Sequence, residues 1–373
     1  MLNLTKLFRN NVDSCYINNL DLDNNDKQTL REARTIIRET LKKDLPKILK
    51  EMVGQDFEIP RFYTQGSWAY KTLNAPAQGK QQADLDYGCY LPLSYIKEIG
   101  KPGTATAIFF EAVEKALKPL EDAYGWKLVT DKPTCTRLEI NQKAHIDIPL
   151  YAIPDDEFLT LKKAETPTMD MAEAYARFES WDDLPNTKVL LAHRKDDWID
   201  SDPRPVKEWF EQQCELKGEQ LRHIVRYLKG FRDHHWSSGG PSSILLMSAA
   251  APLFKQVERR DDLALLEVLR GLPKRLRDGV NNPVNENESL TKRLGVDELE
   301  VIASAYEDLT SRLTASLAAK DPQTVCNWLR ADFGARLPDR PDLVTDVTPV
   351  ETISAIPTII SATPLVGRTQ AGK

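Results

Sequence analysis

The 373-residue sequence has no apolar run of the ~20 residues that a membrane span needs. The longest candidate, Ile244 to Phe254, is short and is interrupted by Ser248 and Pro252. Its opening, MLNLTKLFRN, lacks the apolar core of a secretory signal. Cysteine is scarce: the five, at positions 15, 89, 135, 214 and 326, are scattered without a CxxC pair, so neither a disulfide framework nor a zinc site is expected. Together these absences point to the cytoplasm. Histidine is equally sparse, and the adjacent pair His234 and His235 has neither HExxH spacing nor cysteine partners, which makes it a helix-end feature rather than a metal site. Positive charge is in deficit as well. A net charge of -6 counts against an extended grip on a nucleic-acid backbone, which needs many Lys and Arg, yet leaves room for a local basic pocket around a small polyphosphate. There is no internal repeat.

What the sequence does have is enough apolar content, 41%, for ordinary packed cores, and a length that suits two or three units. From about Asn25 to Lys50 the positions Leu30, Ala33, Ile37, Leu41, Leu45 and Ile48 recur at steps of three and four behind capping candidates Asn24 to Asp26, which predicts one long amphipathic helix. Between Phe57 and Pro154 short β-like runs take over (FEIPRFY, ADLDYGCYLPL, TRLEI, AHIDIPLYAI), with one helical stretch near Ala105 to Tyr124. After a mixed connection from about Asp155 to Pro205, helical periodicity dominates, broken by the polar loop NNPVNENES. The segment after Asp339 is rich in proline and threonine and has no helical period. The expectation is an α+β fold: residues 1–200 as a core carrying the long N-terminal helix, 201–338 as a helical domain, and 339–373 as a flexible tail.

Three elements carry chemistry. Gly66-Ser67 stands between a strand and a helix start, where backbone N–H groups and a hydroxyl can hold phosphate oxygens. In Asp84-Leu85-Asp86 the period of two puts both carboxylates on one face of a strand, where they repel each other unless a cation lies between them. Asp147, in AHIDIPLY, opposes the apolar Ile146, Ile148 and Leu150, so its neighbours bury it and it needs a partner. Aspartates on strands behind a Gly-Ser turn suit in-line phosphoryl chemistry assisted by two hard cations, for which Mg2+ fits all-oxygen ligation. On the triad alone, transfer of a nucleotide to RNA, protein or a small molecule stays open, as does a binding module without turnover; the negative charge counts against RNA.

The order Gly-Ser, Asp-x-Asp, distant strand Asp resembles the DNA polymerase beta-like nucleotidyltransferases. TQGSWAYKTLNAP, ADLDYGCYLP, HIDIPLYAIPDDEF, WIDSDPRPVKEWF, YLKGFRD and GGPSSILLM, in that order across residues 62–250, resemble more closely the bacterial DncV-like cyclic dinucleotide synthases of antiphage signalling. The resemblance implies a polymerase beta-like core with a helical second domain, ATP and GTP as substrates, Mg2+ on Asp84, Asp86 and Asp147, and a cyclic dinucleotide product that activates an effector. It implies donor-triphosphate contacts from Gln65, Gly66, Ser67 and Tyr70, and nucleotide contacts from Arg137, Ser201, Lys229 and Ser243. On the residues alone, Ser243 is also a cap for a helix starting at Ile244, and Ser201 a cap before Pro203. The sequence departs from the family's pattern at Asn287, flanked by Glu286 and Glu288, where an acid contacts nucleotide; at Lys71, which replaces an acid; and at Tyr87, which replaces an Asp. Conjugation of the tail by a ubiquitin-transfer-like partner is a further family property, but the end is Ala371-Gly372-Lys373 instead of a terminal glycine.

Overall fold

The computed structural model describes residues 1–11, 14–94, 102–155, 158, 189–195 and 197–347. Its strands in chain order are β1 (Leu2–Asn3), β2 (Arg61–Gln65), β3 (Ala83–Pro92), β4 (Lys127–Val129), β5 (Cys135–Asn141), β6 (Ala144–Ile153), β7 (Leu190–His193), β8 (Asp197–Asp200), β9 (Asn281–Asn282), β10 (Asn285–Ser289) and β11 (Thr345–Asp346). The seven strands β2 to β8 form one sheet in the order β2-β3-β6-β5-β4, with β7 pairing β6 and β8 pairing β7. Only β3 and β6 run parallel in that sheet, and they are its central pair.

The long helix spans Asn24–Val53, its first turn capped by Asp23, whose side chain accepts from the Asp26 N–H. Its buried stripe, Leu30, Ala33, Ile37, Leu41, Leu45 and Leu49, packs with helix Pro102–Leu117 on one face of the sheet, against Leu85, Tyr87, Cys89, Ile146, Ile148 and Leu150. Alternation along β3 and β6 therefore turns Asp84, Asp86, His145 and Asp147 to the opposite face.

A second core gathers helices Arg204–Lys217, Gln220–His235, Ser243–Leu253, Asp261–Asp278, Val296–Ala318 and Pro322–Phe333. Leu2, Leu4, Leu7, Phe8, Cys15, Tyr16, Ile17 and Leu20 pack in this core and not in the sheet's. The buried Asp262 carboxylate holds this N-terminal stretch in place by accepting from the Leu4 N–H and the Thr5 hydroxyl at 2.8 Å each. The chain stays on this core a few residues past 339. Leu343 and Val344 are buried in the helical core, and β11 pairs with β1. The remainder of that tail, including Ala371-Gly372-Lys373, lies outside the described residues.

NNPVNENES, expected as a loop, forms the β9–β10 pair instead. The strands β4, β7 and β8 had no counterpart in the sequence reading. No helix among the described residues is long and apolar enough to cross a membrane.

Candidate active site

The two cores are joined where the chain leaves the Gly66-Ser67 turn. Asn74 and Arg226 exchange hydrogen bonds, Asn74 Nδ2 donating to the Arg226 carbonyl at 3.0 Å and Arg226 Nε to Asn74 Oδ1 at 3.1 Å. Gln81 Nε2 donates to the carbonyls of Asp233 and Trp236 at 2.8 Å each. The loop between β2 and β3 is thereby docked along helix Gln220–His235. Between them lies a cleft of about 270 Å³ lined by Ser67, Gln82, Asp84, Lys229, Arg232 and Ser243 among others.

Register gathers the carboxylates into one row, of which Asp84 lines that cleft. Gln65 on β2 stands opposite Asp86 on β3, Asp86 opposite Asp147 on β6, and Asp147 opposite Arg137 on β5, so four strands contribute one polar row. One step along, Asp84 faces His145. Gly66 makes the close approach possible. Its φ is +65°, and a Cβ there would lie 1.9 Å from Asp86 Oδ2, so only glycine lets the turn pass over that carboxylate.

Charge accumulates in this row. Burial, reinforced by the Asp84 and Asp147 carboxylates, pushes the Asp86 carboxyl well above the usual carboxylate range, with Arg137 and Lys229 opposing. Asp147, only 9% exposed, receives a two-pronged bond from Arg137, Nε to Oδ1 at 2.6 Å and an Nη to Oδ2 at 2.8 Å. Lys229, 3% exposed, donates to the Thr72 carbonyl at 2.6 Å, and burial with the repulsion of Arg232 pulls its ammonium down to about 7.

The donor set fits a divalent cation. Asp84 Oδ1, His145 Nε2 and Asp147 Oδ1 all lie within 4.8 Å of one another. The first two are buried atoms without a hydrogen-bond partner, although they face each other at 3.1 Å. A divalent cation bound among them would satisfy these atoms together. Beyond the expected triad, the structure thus adds His145, which sequence reasoning passed over although it sits two residues before Asp147 on the same strand face.

The remaining expected residues divide. Ser67 and Ser243 line the cleft, the latter accepting from Arg232 at 3.1 Å. Ser243 is not the helix cap: Ser242 is, its side chain accepting from the Leu245 N–H. Gln65 is buried and donates to the Tyr151 hydroxyl at 3.0 Å. Tyr70 is buried in the helical core against Phe210 and feels the Asp86 charge from there. Ser201 follows β8, its N–H bonded to the Val189 carbonyl, and is outside the cleft lining. Arg137 is committed to Asp147. Tyr87 stacks on Phe62 at 5.2 Å on the sheet's far face, so its departure from the family pattern does not touch the carboxylate row. Lys71 lines a separate cleft with Lys27, Arg31, Trp68 and Arg226. Glu286 and Asn287 are exposed on β10, and Glu288 accepts from Asn282.

Two family models match the chain: residues 60–151 fit the nucleotidyltransferase domain of the DncV-like cyclic GMP-AMP synthases, and residues 218–346 fit the cyclic GMP-AMP synthase C-terminal domain. A cyclic GMP-AMP synthase of Vibrio cholerae is 35% identical over 300 residues, covering 74% of this chain and 68% of that protein. The chain belongs to the DncV-like cyclic GMP-AMP synthase family. A second synthase, from Escherichia coli, is 32% identical over 317 residues, 80% of this chain and 71% of its own length. The solved Vibrio cholerae DncV with the linear intermediate pppA(3',5')pG superposes with a TM-score of 0.77 at 26% identity, covering 93% of this chain and 99% of that one. The GTP complex of the same enzyme gives an equal TM-score of 0.77 at 26% identity, covering 93% of this chain and 100% of that one. As a member of this family the chain is a nucleotidyltransferase that makes cyclic dinucleotides.

Proposed function

We propose that the protein joins one ATP and one GTP into a 3',3'-cGAMP-like messenger, with Asp84, Asp86 and Asp147 holding divalent metal, Mg2+ in the simplest case. The observation that carries this reading is the row Gln65–Asp86–Asp147–Arg137, laid by strand register under the Gly66 turn and beside a cleft lined by Ser67, Asp84, Lys229 and Ser243. Metal bound there would neutralise charge at the α-phosphate and lower the pKa of the attacking hydroxyl.

The chain's own groups do the rest. Ser67 offers a hydroxyl to the donor phosphates, and Lys229 and Arg232 supply positive charge in a protein whose net charge is -6. Arg137 fixes the Asp147 carboxylate in one orientation through its fork, and the glycine at 66 admits the turn close to Asp86. An acceptor ribose 3'-hydroxyl then attacks the donor α-phosphorus, forming a P–O bond as the α–β bond breaks and pyrophosphate leaves. Repetition on the linear dinucleotide closes the ring. Gln65 and Tyr70 act from behind the pocket, Gln65 through its bond to the Tyr151 hydroxyl and Tyr70 through its N–H bond to the Gly66 carbonyl. The product would act on an effector in antiphage signalling.

Mass spectrometry of products from a four-NTP mixture tests the reading. A phosphatase-resistant A–G cyclic dinucleotide supports it. A linear product extended on RNA, protein or a small molecule, or no turnover at all, contradicts it.

A further inference from the structure

A second cleft, of about 360 Å³, adjoins the active-site cleft through residues 67–73: Ser67 lines the first, Trp68 and Lys71 the second, and Leu73 both. Four cations line this rear cleft among the described residues, Lys27, Arg31, Lys71 and Arg226, against the single carboxylate of Asp21. Asp21 is already divided between two of them. It accepts from Arg226 Nη2 at 2.8 Å and stands 3.7 Å from Lys27 Nζ. Arg226 is buried and fixed further by its Nε bond to Asn74 at 3.1 Å. The side chains of Arg31 and Lys71 have no hydrogen bond or ion pair among the described residues. Lys71 acts at longer range on Glu219, but that carboxylate is paired with Arg222 at 2.9 Å. The backbone at Lys71 is left-handed, with φ +57°, a conformation that disfavours a side chain, yet the position carries a lysine pointed at the cleft.

We propose that this rear cleft is a second anion site, which binds a polyphosphate group against Arg31, Lys71 and Arg226 without the metal and without the active-site cleft. Like charges gathered in a concavity repel one another and focus a positive field into it, so an entering anion gains from all of them at once. Guanidinium forks and an ammonium are the donors by which phosphate oxygens are held. The excess of three positive charges matches a polyphosphate better than a monophosphate, and so few cations in one cleft suit a compact anion, since an extended nucleic-acid strand needs a track of them. Leu22, Trp68 and Leu73 give the same cleft an apolar wall, on which the organic part of a phosphorylated small molecule would rest.

Inorganic tripolyphosphate is the probe, titrated calorimetrically into the full chain after metal has been stripped on a chelating resin, so that no cation recruits it to the carboxylate row. It should bind, and Arg31→Glu and Lys71→Glu should each weaken the binding about tenfold or more. Both side chains are exposed, so circular-dichroism melts of the two variants should match the parent's. Ser67→Ala, which alters the active-site cleft alone, should leave the affinity unchanged. ATP titrated in the same way separates the two sources of the group: tighter binding than tripolyphosphate, lost again in Lys71→Glu, identifies a polyphosphate borne by a small molecule, and equal affinity identifies the free anion. Tripolyphosphate that does not bind, or that binds the parent, Arg31→Glu and Lys71→Glu alike, overturns the inference. Binding lost in Ser67→Ala and kept in the other two variants places the anion in the active-site cleft and overturns it as well.

Discussion

Gly66→Ala is a one-methyl substitution whose consequence follows from two separate features of the turn. The first is conformational: at φ +65° an L-residue costs roughly 1–2 kcal/mol relative to glycine. The second is steric. The new Cβ would stand 1.9 Å from Asp86 Oδ2 and 2.9 Å from its Cγ, so the carboxylate must retreat by about 1.5 Å to regain ordinary contact. A displacement of that size at a reacting centre costs on the order of 100-fold in rate, or about 2.7 kcal/mol of barrier. Gly66→Ala should therefore fold with a modestly lower thermal midpoint and lose at least about 100-fold in pyrophosphate release. Ser67→Ala, which leaves the turn's backbone alone, is the matched control and should lose less. Pyrophosphate-coupled absorbance at saturating nucleotide, with a circular-dichroism melt of each variant, measures both. Gly66→Ala turning over within about threefold of the parent would refute the placement of Asp86 at the chemistry.

Asp86→Asn should abolish turnover while raising the thermal midpoint at neutral pH, because a carboxyl whose pKa is raised by burial and two neighbouring charges costs stability at any pH above its unfolded value. Arg137→Ala strips the partner from the buried Asp147 and should lower stability by about 3–5 kcal/mol in a denaturant titration, more than a side chain reserved for nucleotide would. Lys229 titrates near 7 in the fold against 10.5 when unfolded, so the unfolded chain holds the extra proton between those values and stability grows as pH rises across that window. Lys229→Met should flatten that rise. Nucleotide binding at pH 8 should take up a proton through the same group, seen by calorimetry in buffers of different ionisation enthalpy. A chain ending at residue 347 should melt like the full one and keep synthesis, whereas one ending at residue 338 loses buried Leu343 and Val344 and should melt several degrees lower.

The legibility of the sequence was uneven for physical reasons. Period-two alternation is a local rule, and it placed Asp84 and Asp86 opposite Leu85 on one strand, and Asp147 opposite Ile146 on another, without knowledge of any neighbour. The same rule puts His145 on the face of Asp147, but the HExxH and Cys spacings that mark histidine metal sites belong to helices and zinc, and no such spacing marks a histidine beside an aspartate on a strand. What alternation cannot supply is the neighbour. That Asp147 spends its charge on Arg137, or that Tyr87 stacks on Phe62 away from the site, depends on which strands pair. The same holds for Leu4 and Thr5, which the distant Asp262 ties to the helical core. NNPVNENES has the polar composition of a loop, and its pairing as β9 and β10 is held by backbone bonds and by Asn282–Glu288, which composition does not report. Ser243 lost its capping role by one position, since Ser242 precedes it with an equally suitable hydroxyl.

The identity of the product is the most direct test of the proposed activity. Purified full-length protein incubated with ATP, GTP, CTP and UTP and a divalent metal, treated with phosphatase and resolved by mass spectrometry, should give a phosphatase-resistant cyclic species containing one adenosine and one guanosine, absent for Asp84→Asn. A linear product as the end point, or a cyclic species unchanged by Asp84→Asn, would contradict it.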